Sequence, residues 1–355
     1  MIINYTTTAL PTMSISPEFA LIHRHFAGCA PPNFLALGIG DDAALLPWPV
    51  ADAQRRGNPP PAGQKAALAI TTDTLVAGVH FFADGDPAAL GWKALAVNLS
   101  DLAAMGARPV AFLLALTIPK ADEQWLRPFV EGLAQCARAY EVALVGGDTT
   151  RGPLAITITA LGEVPWGEAV RRSGAQVGDD LWVSGQPGRA GLGLAIRKGQ
   201  LADSLSGAAE WLAALDRPIP RVALGLALRT VAHAMLDLSD GLTQDACHLV
   251  EERPELAVVL KEEWLPLAPL LDGGAPLALA RTALLAGGDD YELLFTAPAT
   301  ARAAVLTASK TSATPVHRIG SIEPRSEGEP LMLKTTAGAM TPLTPRGWDP
   351  FREES

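Results

Sequence analysis

The first half of the chain alternates short apolar runs with longer amphipathic stretches, a pattern typical of a sheet covered by helices. Apolar residues recur at helical spacing in residues 88–105 and 122–140, and Asp86 with Pro87 forms a cap and first turn for the first of these helices. A shorter helix is predicted at residues 16–26. Apolar runs predict strands at residues 34–46, 66–70, 110–118, 142–145 and 154–164.

The second half continues the alternation. Residues 178–188 predict a strand and a glycine-rich turn that lead into a helix from Ala190, and another helix is predicted at residues 221–234. Residues 286–295 lead past three acidic side chains into a further strand. The order of elements favours an α+β (α/β) fold whose N-terminal sheet is mixed.

The length of 355 residues exceeds one ordinary core, so two domains are expected. Residues 163–174 carry proline, glycine and an arginine pair and are the predicted boundary. This places the domains at residues 1–165 and 166–355. Residues 47–64 are rich in proline, glycine and charge and are predicted to form an exposed connection.

Composition limits the partners. A net charge of -10 argues against nucleic acid, because a phosphate backbone is bound chiefly by lysine and arginine. Cys29, Cys136 and Cys247 are widely spaced and are expected to be reduced thiols in or near the core. The sequence begins with no leader-like segment and holds no apolar run of membrane-spanning length, so we expect a soluble, cytoplasmic protein.

Residues 144–152 combine a strand end, two glycines, a carboxylate, two hydroxyls and an arginine. Gly146 and Gly147 let the backbone approach a ligand, and Asp148 can hold Mg²⁺ while the following hydroxyls donate to phosphate oxygens. The alternative is a polar turn after a buried strand. The chain contains no P-loop.

Six aspartates stand at predicted element ends or on the apolar helix at residues 88–105. If their carboxylates converge, they repel one another by several kcal/mol at an effective dielectric of about 20, and hard divalent cations remove that penalty. Oxygen ligands without paired Cys or His favour Mg²⁺ or Mn²⁺ over zinc. Without convergence the aspartates are caps and turns. The six are Asp42, Asp73, Asp101, Asp148, Asp237 and Asp240.

Six motifs, taken in order, resemble the thiamine-monophosphate kinase family, which belongs with the aminoimidazole-ribonucleotide synthetase and selenophosphate synthetase superfamily. The resemblance runs from about residue 19 to residue 351. It implies ATP-dependent phosphorylation of thiamine monophosphate to thiamine diphosphate with Mg²⁺, a C-terminal α/β sandwich, and a homodimer whose N-terminal sheets join. The motifs are GIGDDAALL at 38–46, TTDTLVAGVHF at 71–81, KALAVNLSDLAAMGA at 93–107, VGGDTTRG at 145–152, DLSDGL at 237–242 and GGDDYEL at 287–293.

The resemblance also implies roles for individual residues. The residues with a catalytic role would be Asp101, Asp148 and Arg172. The implied metal ligands are Asp42, Thr71, Thr72, Asp73, Asp101, Asp148, Asp237 and Asp240. The implied ATP contacts are Gly147, Asp148, Arg172 and Ser239, and the implied thiamine monophosphate contacts are His80, Asp289 and Trp348.

Two positions depart from the family pattern. The family commonly has Glu where this chain has Asp289, and the aromatic residue at Trp348 varies. A shorter carboxylate reaches its partner through water or makes a weaker contact.

The chemistry expected here needs no general base, since a phosphate oxygen with a second pKa of about 6 is already largely ionised near neutral pH. Several Mg²⁺ ions and Arg172 would neutralise charge during transfer, and His80 would orient the acceptor as a hydrogen-bond donor. Three alternatives stay open: another ATP-dependent enzyme of the superfamily, a two-metal phosphohydrolase, and a non-catalytic nucleotide- or metal-binding module.

Overall fold

The structure is a computed structural model that describes residues 41–48, 66–325 and 329–351. Some sequence-based predictions lie outside these residues: the helix at 16–26, the start of the strand at 34–46, most of the connection at 47–64, and the position of Cys29.

A five-stranded sheet forms from the first half of the described residues. Its strands are β1 (Ala44–Trp48), β2 (Ala66–Val76), β3 (Arg108–Ile118), β4 (Ala143–Arg151) and β5 (Ala155–Pro165). They lie in the spatial order β1-β2-β5-β3-β4. Strands β3 and β4 run parallel and the other neighbours antiparallel, so the predicted mixed sheet is confirmed.

Two helices cover this sheet: α1 (Pro87–Ala104) and α2 (Glu123–Ala139). The Asp86 carboxylate caps α1 by accepting from two backbone N–H groups in its first turn. The helices cross at glycines, because a Cβ on Gly91 would lie 2.0 Å from Phe129 O and one on Gly132 would lie 1.8 Å from Ala88 O. Close packing buries most of α1, including Lys93, Asn98 and Ser100.

A seven-stranded sheet forms from the second half. Its strands are β6 (Asp179–Ser184), β7 (Ala234–Asp237), β8 (Leu256–Lys261), β9 (Leu293–Pro298), β10 (Val316–Pro324), β11 (Leu331–Lys334) and β12 (Met340–Pro342). They lie in the spatial order β12-β11-β8-β10-β6-β9-β7. The accompanying α-helices are α3 (Arg189–Arg197), α4 (Ala208–Asp216), α5 (Val222–Leu228), α6 (Leu242–His248), α7 (Ala268–Asp272), α8 (Leu277–Ala286) and α9 (Arg302–Thr311). The two-sheet α/β fold class is confirmed.

Two strands are longer than their apolar runs predict. Strand β2 continues through Thr74 to Val76, because threonine hydroxyls pair across the sheet: Thr72 Oγ1 lies 2.9 Å from Thr159 Oγ1, and Thr74 Oγ1 lies 2.9 Å from Thr157 Oγ1. Strand β4 continues to Arg151 along its parallel partner β3. The predicted strand ends at residues 70 and 145 are therefore wrong, and the polar residues that follow them belong to the strands.

The helix predicted at residues 221–234 is also too long. Helix α5 ends at Leu228, and Ala234 already begins strand β7, which pairs with β9. The prediction extended the helix beyond Leu228 because residues 229–234 contain no glycine or proline that would signal its end.

The core of the first half continues into the second. One cluster of buried side chains joins Phe112 and Phe129 with Val170, Phe295 and Val305. A division at residue 165 therefore stays a prediction. Among the described residues, Cys136 and Cys247 are buried thiols, and no helix there is long and apolar enough to cross a membrane.

Candidate active-site cleft

A cleft of about 1240 Å³ is lined by both halves of the chain. One end carries carboxylates from the residues before β1, from β2, α1 and β7, and the other carries aromatic residues from the loop after β2 and from the C-terminal segment. The two ends therefore differ in chemistry, one acidic and one aromatic. Strand β2 separates the two ends, because Thr71, which bonds Asp101, and Val76, which bonds His80, are five extended residues or about 17 Å apart.

Three carboxylates converge at the acidic end. Asp42 precedes β1, Asp101 lies on α1 and Asp237 ends β7, and one oxygen from each lies within 4.8 Å of the others. One oxygen each of Asp42 and Asp237 is buried without a hydrogen-bond partner. Buried oxygens left in this way, in an all-carboxylate group, fit a hard cation such as Mg²⁺.

Burial raises the pKa of all three carboxyls, and repulsion by neighbouring carboxylates adds to the shift at Asp101 and Asp237. The pKa of Asp237 rises to about 8, chiefly through burial and then through the charge of Asp42. Burial, followed by Asp73, raises the pKa of Asp101 well above its ordinary range. The pKa of Asp42 rises through burial although Arg172 opposes the shift. A bound cation would favour the ionised forms.

Strand β2 directs its side chains alternately. Thr71 donates its hydroxyl to Asp101, and the backbone N–H of Asp73 donates to Asn98 Oδ1 at 3.1 Å, so these residues face α1. Thr72 also borders the cleft, but its hydroxyl bonds Thr159 instead. The Thr72 side chain therefore lies on the opposite face of β2 from Thr71 and Asp73.

Arg172 is directed at Asp42. Its Nε donates to Asp42 Oδ1 at 3.0 Å, its Nη2 donates to the same oxygen, and its backbone N–H donates to Asp41 Oδ1 at 3.3 Å. Sequence reasoning favoured Asp42 over Asp41 as the ligand, and Asp42 is the one that joins the converging carboxylates. Asp41 borders the same cleft.

The loop between β7 and α6 carries Ser239 and Asp240 into the cleft. Asp245 Oδ2 accepts from the backbone N–H groups of Asp240 at 3.2 Å and Gly241 at 3.0 Å, and Gln244 Nε2 donates to Asp240 Oδ2 at 3.1 Å. Sequence reasoning missed Asp245, although an aspartate in the first turn of a helix that follows DLSDGL was a signal.

His80 and Trp348 meet at the aromatic end, with ring centroids 5.1 Å apart in an edge arrangement. His80 Nδ1 accepts from the backbone N–H of Val76 at 3.0 Å, which leaves the ring proton on Nε2. Burial lowers the pKa of His80, so the ring is a neutral donor. Trp348 is fixed through its backbone, since its N–H donates to Asp240 O at 3.0 Å.

Asp289 faces the same end of the cleft and is held by two residues that sequence reasoning missed. Lys93 Nζ lies 3.0 Å from Asp289 Oδ2, and the Tyr291 hydroxyl donates to Asp289 Oδ1 at 3.0 Å. Lys93 lies in the motif at residues 93–107, and Tyr291 in that at 287–293.

Gly147 and Asp148 are not part of this cleft in their own chain. Both lie on β4, whose residues are exposed. In the sheet register, Asp148 on β4 lines up with Thr74 on β2, and β3 and β5 lie between them. Three strand spacings therefore separate Asp148 from Thr74, a distance of about 14 Å. A Cβ on Gly147 would lie 1.8 Å from Leu114 O, so glycine permits the close approach of β4 to β3 at this pair.

Known proteins are similar to this chain in sequence and in fold. Residues 40–164 match the family model described as AIR synthase related protein, N-terminal domain. Thiamine-monophosphate kinase of Escherichia coli (strain K12) is 42% identical over 336 residues, which is 94% of this chain and 98% of that protein.

Solved structures agree. Thiamine-monophosphate kinase from Stenotrophomonas maltophilia K279a is 43% identical with a TM-score of 0.71, covering 90% of this chain and 96% of that one. A structure described as AaThiL complexed with AMPPCP and TMP is 28% identical with a TM-score of 0.73, covering 93% and 96%. The chain belongs to the thiamine-monophosphate kinase family.

Proposed function

We propose that this chain transfers the γ-phosphoryl group of ATP to the phosphate of thiamine monophosphate and so forms thiamine diphosphate. The observation that carries the proposal is the convergence of Asp42, Asp101 and Asp237 in a cleft whose other end holds His80 and Trp348. An acidic end suits phosphates bound through cations, and an aromatic end suits a heterocycle. We place the enzyme in the cytoplasm, where ATP is available.

Mg²⁺ would be held by the three converging carboxylates, with Thr71, Asp73 and Asp240 as further ligands. Thr72 would contribute only through its backbone, because its hydroxyl bonds Thr159. When bound, it supplies positive charge to the phosphate oxygens. Arg172 adds a fixed guanidinium beside Asp42, where it offsets negative charge as the two anionic substrates approach. With Ser239, it is also the proposed contact to ATP within this chain.

The acceptor phosphate oxygen is already ionised near neutral pH, so the chain needs only to orient it. His80 is suited to orientation rather than to proton removal, because its Nδ1 is occupied by the Val76 N–H and its Nε2 carries a proton. Trp348 and Asp289 would hold the organic part of the acceptor.

The experiment is a coupled ADP-release assay with ATP and Mg²⁺, run with and without thiamine monophosphate. The proposal predicts ADP only when the acceptor is present. ADP formed equally without it would indicate a different enzyme of the superfamily. Phosphate released from a monoester would indicate a phosphohydrolase, and ATP binding without turnover would indicate a binding module.

We also propose that the chain acts as a homodimer joined along β4. Leu144 and Val145 on this edge strand are 52% and 61% exposed, and Leu113 on the neighbouring β3 is 40% exposed. An edge strand that exposes adjacent large apolar side chains is a surface that proteins normally cover. Pairing there would place Asp148 and Gly147 at the interface, from which they would reach ATP and Mg²⁺ in the partner's cleft.

Subunit mixing tests this arrangement. Asp148→Asn and Asp101→Asn homodimers should each lose most activity while staying folded. If Asp148 acts across the interface, each mixed dimer contains one intact site, and an equal mixture regains about a quarter of wild-type activity. If Asp148 acts within its own chain, both sites of the mixed dimer are defective and the mixture stays inactive.

A further inference from the structure

Lys93 is a buried cation that the metal and phosphate chemistry does not use. Its side chain lies on α1, is 5% exposed, and borders the cleft. A buried ammonium is unfavourable unless it is paired, and the pairing observed is with Asp289 Oδ2 at 3.0 Å. The second Asp289 oxygen accepts from the Tyr291 hydroxyl at 3.0 Å.

The backbone around Asp289 is equally constrained. Asp289 and Tyr291 have φ angles of 66° and 50°, in the left-handed region that L residues rarely occupy. The Asp289 N–H donates to Ser239 O and the Tyr291 N–H to Leu238 O, each at 2.8 Å. A Cβ on Gly288 would lie 2.5 Å from Ser239 O. The turn is therefore fixed against the loop that carries Asp240.

The Asp289 carboxylate still faces the cleft. Its side chain is 31% exposed, and it borders the same cavity as His80 and Trp348. A carboxylate has about four lone-pair positions, so two protein donors leave others for a ligand. Burial raises the pKa of Tyr291 well above its ordinary range, which keeps its hydroxyl a donor to Asp289.

We propose that Lys93 and Tyr291 are positioning residues that hold Asp289 toward the cationic organic part of thiamine monophosphate. The inference rests on the proposed function. The acceptor carries a phosphate at one end and a thiazolium cation with an aminopyrimidine at the other. With its phosphate at the acidic end of the cleft, its organic part lies beside Asp289, where a fixed carboxylate discriminates a cationic acceptor from a neutral one.

The test compares Lys93→Met with wild type in steady-state kinetics. Because the effect is on one substrate, we expect the KM for thiamine monophosphate to rise about tenfold, with kcat and the KM for ATP within about twofold of wild type. Lys93→Arg, which keeps a cation, should restore most of the affinity. The matched control is Lys120→Met, which breaks an exposed lysine–aspartate pair with Asp122 at 2.8 Å and should change neither KM.

Tyr291→Phe supplies a second test that leaves the buried charges paired and decides the question if Lys93→Met does not fold. It should raise the KM for thiamine monophosphate about threefold or more, without changing the KM for ATP. Lys93→Met and Asp289→Asn both act through one carboxylate. The double variant should therefore raise the KM for thiamine monophosphate by less than the product of the two separate fold-changes.

An unchanged KM for thiamine monophosphate in both Lys93→Met and Tyr291→Phe would overturn the proposal. So would an equal rise in the KM for ATP, or no recovery with Lys93→Arg, since either would indicate a general structural role. The wild-type enzyme separates this failure from failure of the proposed function: without acceptor-dependent ADP formation by wild type, it is the proposed function that fails.

Discussion

Asp237 shows how a single residue can link folding to cation binding. Its carboxylate ends β7 beside Asp42, and its second oxygen is buried without a hydrogen-bond partner. Burial raises its pKa from 3.8 to about 8, so the metal-free folded chain holds a proton there that the unfolded chain has released near neutral pH. The carboxyl group therefore opposes folding as it ionises.

The raised pKa of Asp237 determines how the free energy of unfolding changes with pH. Because the folded state binds the proton more tightly, the free energy of unfolding in EDTA should decrease between about pH 5 and about pH 7.5, by at most about 1.4 kcal/mol per pH unit for one proton. Saturating Mg²⁺ should flatten or reverse this decrease, since it binds the ionised form. Urea unfolding at several pH values measures it.

Asp237→Asn provides the control, because it removes the ionisation while keeping the shape, and it should weaken the decrease. A free energy of unfolding that rises with pH in EDTA would contradict the environment described for Asp237.

Residue types and spacing pointed to Asp42, Asp101 and Asp237, but the sequence alone left caps and turns as an alternative. Lys93 was not predicted to belong to the site, because its burial depends on packing between elements. A lysine in an apolar helix is compatible with an exposed position, and only packing reveals that it is buried against Asp289.

At the level of elements, hydrophobic periodicity located α1 and α2 to within about two residues, because both helices have clear caps. The predicted strands stopped short of the polar ends of β2 and β4. Their strand conformation comes from pairing with β5 and β3, which are distant in sequence, and local patterns carry no information about such partners.

Two adjacent glycines on β4 allow a matched test of that strand. Gly147 has a φ of 146°, and a Cβ there would meet the Leu114 backbone oxygen at 1.8 Å, whereas a Cβ on Gly146 would meet only the Leu113 side chain at 3.3 Å. Gly147→Ala should therefore destabilise the protein by more than about 1 kcal/mol and weaken dimer formation. Gly146→Ala should change unfolding by less than about 0.5 kcal/mol.

Thermal unfolding and sedimentation measure both effects. Equal behaviour of the two variants would contradict the close approach of β4 to β3 at Gly147.

At the level of the whole molecule, Glu292 connects parts of the chain that sequence leaves unrelated. Its carboxylate is 5% exposed and accepts from Arg221 Nε at 2.6 Å, from Ser184 Oγ at 2.5 Å and from the Gln186 N–H at 3.2 Å. Arg221 precedes α5, which packs against α1. The ion pair thus ties the helices of the first half to the second sheet.

Removing Arg221 should be costly, because it leaves a buried carboxylate without its cation. We expect Arg221→Met to lower the free energy of unfolding by about 3 kcal/mol or more. Arg108→Met removes an exposed pair with Glu163 at 2.6 Å and should cost less than about 1 kcal/mol. Urea unfolding measures the free energy of unfolding of both variants. Similar decreases in the two would contradict a stabilising role for the buried ion pair between Arg221 and Glu292.

At the same scale, the cleft that joins carboxylates, Arg172 and aromatic residues predicts transfer of the γ-phosphoryl group of ATP to the phosphate of thiamine monophosphate, which no single residue or element reveals. The decisive measurement uses ATP labelled with ¹⁸O in its γ-phosphoryl group, together with thiamine monophosphate and Mg²⁺, and identifies the thiamine product by mass. We expect the wild-type enzyme to form thiamine diphosphate that carries the label in its terminal phosphoryl group, and we expect no such product from Asp101→Asn. Label found only in inorganic phosphate, or no diphosphate product from wild type, would contradict it.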